Sequence, residues 1–260
     1  MSQNHSKPFA FFDIDGVLVK PYVIQKFPKY LASLNPPRFS RRELDTMVQQ
    51  YQAYRVHKDY GKFATQWVET YARGIEGQQV KSIESSSKQF WKTHWNQLVY
   101  SYTEELVKTL AVYCNVIAVS GSPKEGLLPF VEQLGIPTLK ATEAEIKDHV
   151  FTGKVKVAGN AAVREAKDAV ILEYIDLITD RSVWDRSFAF GDTNHDGPLL
   201  RYVGNPFLIT DYDTDDAKTK AKQTFTLLHY IRQLHWFWRP EDNNYIVPTV
   251  KMRLRTIGLI

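Results

Sequence analysis

The chain has 260 residues, 43% hydrophobic and 24% charged, with a formal net charge of +4. That is an ordinary globular composition, long enough for one α/β domain plus a smaller insertion. A single cysteine, Cys114, excludes an intrachain disulfide framework, and no His/Cys set has the spacing of a zinc site.

The first eight residues lack the apolar core of a signal peptide. No apolar run approaches the roughly 20 residues of a membrane span, so a cytoplasmic setting is expected. Residues 9–17, Phe-Ala-Phe-Phe-Asp-Ile-Asp-Gly-Val, read as a buried strand that delivers Asp13 and Asp15 to its C-terminal edge. Gly16 then lets the backbone turn away. Open α/β sheets place their ligand sites at such edges. Two carboxylates one residue apart alternate across a strand and so suit different roles.

Residues 21–110 read as helices. Ser40-Arg41-Arg42-Glu43 is a capping box that opens a helix through about Arg55. Phe63, Trp67, Tyr71 and Ile75 recur every four residues, and Phe90, Trp91, Trp95, Leu98 and Val99 mark a second helical face. At this spacing they predict a helix-bundle core rather than a substrate pocket. Arg41, Arg42, Arg55, His57 and Lys58 are expected to face solvent.

An apolar run, Val116–Val119, then stops at Ser120-Gly121-Ser122-Pro123-Lys124-Glu125. Ser122 with Glu125 fits a capping box, with Pro123 at the first helical position. A helix N-terminus there suits an anion such as phosphate. Further strands are expected near 137–140, 187–191 and 206–209. Lys154 and Lys156 alternate with valines, as in a surface hairpin, and a helix follows Lys167. The strand Phe188–Phe190 ends in Gly191-Asp192-Thr193-Asn194-His195-Asp196, an oxygen-rich turn suited to magnesium. Residues 224–238 read as an aromatic helix packed on the core. The tail from Tyr245 interleaves apolar residues with Lys251, Arg253 and Arg255, and leaves core packing, an oligomer contact or an anionic surface open. With pI near 8.9 but so small a net charge, there is no strong nucleic-acid signal.

Three segments, Asp13-Ile14-Asp15-Gly16-Val17, Ser120-Gly121-Ser122 and Gly191-Asp192-Thr193-Asn194-His195-Asp196, resemble motifs one, two and four of the haloacid dehalogenase superfamily. Phe151–Val155 and Val203–Phe207 resemble accessory segments of its phosphoserine-phosphatase-like branch. The resemblance implies a Rossmann-like α/β fold, three layers around a mainly parallel sheet, with core residues 1–19 and 112–260. Residues 20–111 would be an inserted α-helical cap.

It also implies roles. Asp13 matches the nucleophile and Asp15 the acid/base; Ser120 and the Gly121 N–H would grip the phosphoryl oxygens. Magnesium would be held by the Asp13 and Asp192 carboxylates and the Asp15 carbonyl, with Asp196 in support. Lys167 is preferred over Lys154 and Lys156 as the motif-three lysine. An acid two residues after the nucleophile belongs to phosphatases, phosphotransferases and ATPases, not to the dehalogenases. The expectation is a magnesium-dependent phosphatase acting on a small phosphorylated metabolite through an aspartyl phosphate. The alternatives are a phosphotransferase, a macromolecular substrate, or a non-catalytic binding module. Two departures stand out. Lys20–Gln25 offers no acid where phosphoserine phosphatases carry one, and His195 stands where they often carry Asn.

Overall fold

A computed structural model describes residues 7–20, 23–57, 60–156, 164–210, 215–231, 233–237 and 245–260. Lys58 and residues 240–244 of the tail lie outside them. Strand β1 (Phe9–Phe12) is buried at every position. Four helices follow: α1 (Val23–Ser33), α2 (Arg41–His57), α3 (Tyr60–Gly74) and α4 (Val80–Leu98). Helix α5 (Thr103–Tyr113) leads into β2 (Asn115–Pro123), α6 (Lys124–Leu134) and β3 (Thr138–Thr142). A separate antiparallel hairpin, β4 (Ala144–Lys147) and β5 (Val150–Val155), bears out the expected surface alternation. Then come α7 (Arg164–Leu177), α8 (Arg181–Asp185), β6 (Phe188–Gly191), α9 (Gly197–Leu200) and β7 (Asn205–Ile209). Helix α10 (Asp215–Leu228), β8 (His235–Phe237) and α11 (Ile246–Thr256) complete the order.

The main sheet has six strands in the order β3-β2-β1-β6-β7-β8. Every pairing in it is parallel, with Ala10 opposite both Val116 and Phe188. Parallel strands are covered on both faces, which is why β1 reads as an unbroken apolar run. Its side chains divide by alternation. Phe9 and Phe11 pack with Ile171, Tyr174, Trp184 and Leu199 on one side of the sheet. Ala10 and Phe12 join the larger cluster on the other, which takes in the helices between β1 and β2. Phe12 stacks on Phe190, their ring centroids 4.5 Å apart.

The aromatic stripes are core, as their spacing predicts. Phe63, Trp67, Tyr71, Ile75, Phe90, Trp91 and Leu98 are all buried. Trp91 stacks on Phe130 of α6 at 4.8 Å and donates its indole N–H to Gly126 O at 2.6 Å, tying α4 to the sheet layer. Helix α2 has Ser40 before it, and the Glu43 N–H donates to Ser40 Oγ at 3.4 Å. Cys114 is buried, which pushes its thiol up to about 12.

Two expectations fail. Residues 224–238 are not one helix: α10 ends at Leu228, and His235–Phe237 adds the sixth strand beside β7. Three residues are too few to show a period, and Trp236 and Phe237 fit a strand as well as a helix. The Ser122–Glu125 capping box also does not form, because β2 runs on through Pro123 and α6 starts only at Lys124. The tail packs on the chain itself. Ile246, Val247, Val250 and Leu254 of α11 are buried, Lys251 pairs with Glu105 at 2.7 Å, and Arg253 donates to Asn205 Oδ1 at 2.9 Å. Among the described residues no helix is long and apolar enough to cross a membrane.

Candidate active site

The C-terminal ends of three adjacent strands, β2, β1 and β6, carry Ser120, Asp13 and Asp192 toward one another. Asp13 follows β1 directly, and its N–H donates to Phe190 O at 2.9 Å, which continues the ladder one residue past the strand. Its side chain is only 9% exposed. Beyond it the chain must turn, and Gly16 does so at φ +82°. A methyl group on Gly16 would lie 2.1 Å from Asp192 Oδ2, so both the conformation and the close approach require glycine.

Lys167, in the first turns of α7, reaches the same point. Its ammonium is 3.0 Å from Asp13 Oδ1 and 2.5 Å from Asp196 Oδ1, and it is almost wholly buried. Lys154 is exposed, and Lys156 pairs with Glu143 at 3.1 Å. Of the three candidate lysines, Lys167 is the one brought to Asp13.

Asp196 is the anchor of its turn. Its Oδ2 accepts from the Asp192 N–H (3.0 Å), the Thr193 N–H (2.9 Å) and Thr193 Oγ1 (3.1 Å). With Lys167 on the other oxygen, both oxygens of Asp196 already accept from protein donors. Burial works to raise the Asp196 carboxyl, but Lys167 and these donors outweigh it and hold it below the usual range. The neighbours go the other way. Burial pushes Asp13 up to about 7, with Lys167 opposing and the charges of Asp196 and Asp15 adding to the rise. Burial and the charges of Asp196 and Asp13 carry Asp192 well above its ordinary value.

Carboxylate oxygens of Asp13, Asp192 and Asp196 all lie within 4.8 Å of one another. Among the described residues one buried lysine pairs with two of these three acids, leaving a surplus of negative charge that a divalent cation would offset. Asp13 and Asp192 fit direct ligation. Asp196 has its oxygens committed to Lys167 and its own turn.

Asp15 is held from two sides. Its Oδ1 accepts the Val23 N–H at 2.7 Å, from the start of α1, and its Oδ2 accepts Ser122 Oγ at 2.6 Å. The Ser122 N–H in turn donates to the buried Ser120 Oγ at 3.1 Å, and Thr142 Oγ1 donates to Gly121 O at 2.8 Å. The turn that presents Ser120 and Gly121 is thus fixed at both ends. Hydrogen bonds join Asp13, Lys167, Asp196 and Asp192 in one set and Asp15, Ser122 and Ser120 in another, with Gly121 in the turn between Ser120 and Ser122.

Ser122 and Thr193 were not foreseen as partners of the acids. Thr193 closes a capping box with Asp196, a spacing that Thr-Asn-His-Asp displays openly. Ser122 had no such signal, since its partner lies 107 residues away.

A family model described as haloacid dehalogenase-like hydrolase matches residues 10–201. No curated protein matches the sequence. A protein of unknown function from Bordetella pertussis Tohama I superposes with TM-score 0.64 at 17% identity, over 89% of this chain and 98% of that one. A probable phosphoserine phosphatase from Vibrio cholerae gives 0.63 at 14% identity, over 98% and 68%. A phosphoserine phosphatase solved as a phospho-aspartyl intermediate analogue gives 0.56 at 18% identity, over 82% and 90%. Such likenesses carry the fold, and the matched model carries the family: this chain belongs to the haloacid dehalogenase-like hydrolases.

Proposed function

We propose that the chain is a magnesium-dependent phosphatase that hydrolyses a small phosphomonoester through an aspartyl phosphate on Asp13. The observation that carries this reading is the buried Asp13 carboxylate, bound to Lys167 and flanked by Asp192 and by the separately tethered Asp15.

In the first half-reaction an Asp13 carboxylate oxygen attacks phosphorus and the ester P–O bond breaks. Asp15 gives its proton to the leaving alcohol oxygen. In the second, Asp15 takes a proton from water as the water oxygen attacks the same phosphorus. The acyl phosphate bond then breaks, and inorganic phosphate and free Asp13 are restored. Ser120 Oγ and the Gly121 N–H donate to the phosphoryl oxygens, while Lys167 holds Asp13 in place and opposes the burial that raises its carboxyl. Magnesium, held by Asp13, Asp192 and the Asp15 carbonyl, would neutralise charge on the transferred group. Asp196 orients Lys167 and the Asp192 turn.

Residues 20–111 act as a cap over the strand ends, screening the site from water. Hydrolysis of a panel of phosphate esters, with magnesium and with chelator, tests the reading. Magnesium-dependent turnover that Asp13→Asn abolishes is the expected result. Turnover that survives in the variant would overturn the covalent mechanism.

A further inference from the structure

Helix α1 opens the segment between β1 and β2 directly at Asp15, whose Oδ1 its first N–H occupies. Three residues on, Lys26 is half-buried. Burial pulls its ammonium below the ordinary lysine value; the charge of Asp15 favours the ammonium and that of Lys20 opposes it. One turn past the Val23 N–H that binds Asp15, Lys26 stands at the same end of α1 as that carboxylate. Among the described residues it forms no salt bridge, and the acid nearest in effect, Asp15, already accepts from Val23 and Ser122. Beside it in the same helical turn, Gln25 Nε2 is buried with no hydrogen-bond partner. A half-buried ammonium and a buried amide N–H left without acceptors are both unfavourable. Both groups are donors, and what completes them is an acceptor, best an anion.

We infer that Lys26 and Gln25 recognise a second anionic group, a carboxylate or a further phosphate, on the phosphomonoester that Asp13 attacks. The inference rests on the phosphatase reading and deepens it. An ester whose alcohol carries an ammonium is disfavoured, because Lys26, with Lys20 near enough to act on it, would repel that charge.

The test compares kcat/KM for 2-phosphoglycolate, fructose 1,6-bisphosphate, phosphoethanolamine and p-nitrophenyl phosphate with magnesium. The wild type is expected to prefer one of the two acidic esters over phosphoethanolamine by about tenfold or more, and the faster of the two names the anionic group. Lys26→Gln should lower kcat/KM for that ester about tenfold more than for p-nitrophenyl phosphate, chiefly through KM. Lys26→Glu should turn the preference toward phosphoethanolamine. Lys29→Gln, exposed on the same helix, should leave the ratio unchanged. Equal use of acidic and amine esters, or a Lys26→Gln loss shared by all four, overturns the inference while the phosphatase reading stands. No magnesium-dependent turnover of any ester overturns both.

Discussion

Ser122 Oγ donates to Asp15 Oδ2 at 2.6 Å, joining the second motif to the first across 107 residues. The hydroxyl fixes one oxygen of Asp15, the proposed acid/base, while the Val23 N–H fixes the other. A hydrogen bond to a charged group contributes about 1.5–3 kcal/mol. Ser122→Ala should lower kcat about ten- to a hundredfold, with KM and unfolding midpoint little changed. A fall in midpoint matching the loss of rate would reassign Ser122 to the fold rather than the chemistry.

Among the described residues, Lys167 is the cation that pairs with Asp13 and Asp196. Breaking a buried pair by removing one partner costs about 3–5 kcal/mol. Lys167→Ala is therefore expected to lower both stability and turnover, the latter by about a hundredfold or more. Lys154→Ala, on the exposed hairpin, should stay within about twofold on both counts. Chemical denaturation and steady-state kinetics on the two variants decide between the lysines.

Magnesium should raise the unfolding midpoint of the wild type, since a ligand bound only by the folded state stabilises it by about 2.7 kcal/mol at a hundredfold excess over Kd. Asp192→Asn should abolish that shift. Gly16→Ala should do the same by a different route, because the added methyl would sit on Asp192 Oδ2. A full magnesium shift in Asp192→Asn would remove that carboxylate from the ligand set.

Glu125 gives the fold a pH dependence away from the Asp13, Asp192 and Asp196 cluster. Burial lifts its carboxyl from 4.5 to about 7; its Oε1 accepts the Ala144 N–H at 3.1 Å, and its Oε2 is buried without a partner. Between pH 4.5 and 7 the folded state holds a proton that the unfolded state has released. Stability is thus full below 4.5 and declines as pH rises to about 7, by an amount on the order of 3 kcal/mol. Glu125→Gln, which keeps an acceptor for Ala144, should flatten this part of the pH profile. A wild-type profile already flat from pH 4.5 to 7 would refute the assignment.

The strand ends were legible because each combines an apolar run with an abrupt polar stop, and Asp13, Ser120 and Asp192 fall on those stops. Lys167 was readable from the helical pattern that follows it. What the sequence hid was hidden for local reasons. Ser-Pro-Lys-Glu satisfies a helix-capping pattern so well that Ser122's distant partner left no trace, and the strand continued where a helix was expected. Strand β8 is too short to show a period. Lys26 and Gln25 look like ordinary polar positions on an amphipathic helix until the fold sets that helix on Asp15.

The central place of β1 also bears on how the chain is made. Its two neighbours, β2 and β6, lie far downstream, and the Phe9 N–H finds its acceptor at Ser187 Oγ, 178 residues away. During synthesis the segment Phe-Ala-Phe-Phe emerges before both partners, and one of its edges stays unpaired until β6 follows β2. Such long-range closure slows folding and leaves an apolar strand exposed meanwhile. A ribosome-bound fragment stopped before residue 188 would hold Asp13 at the end of a strand with one edge still open to wrong partners.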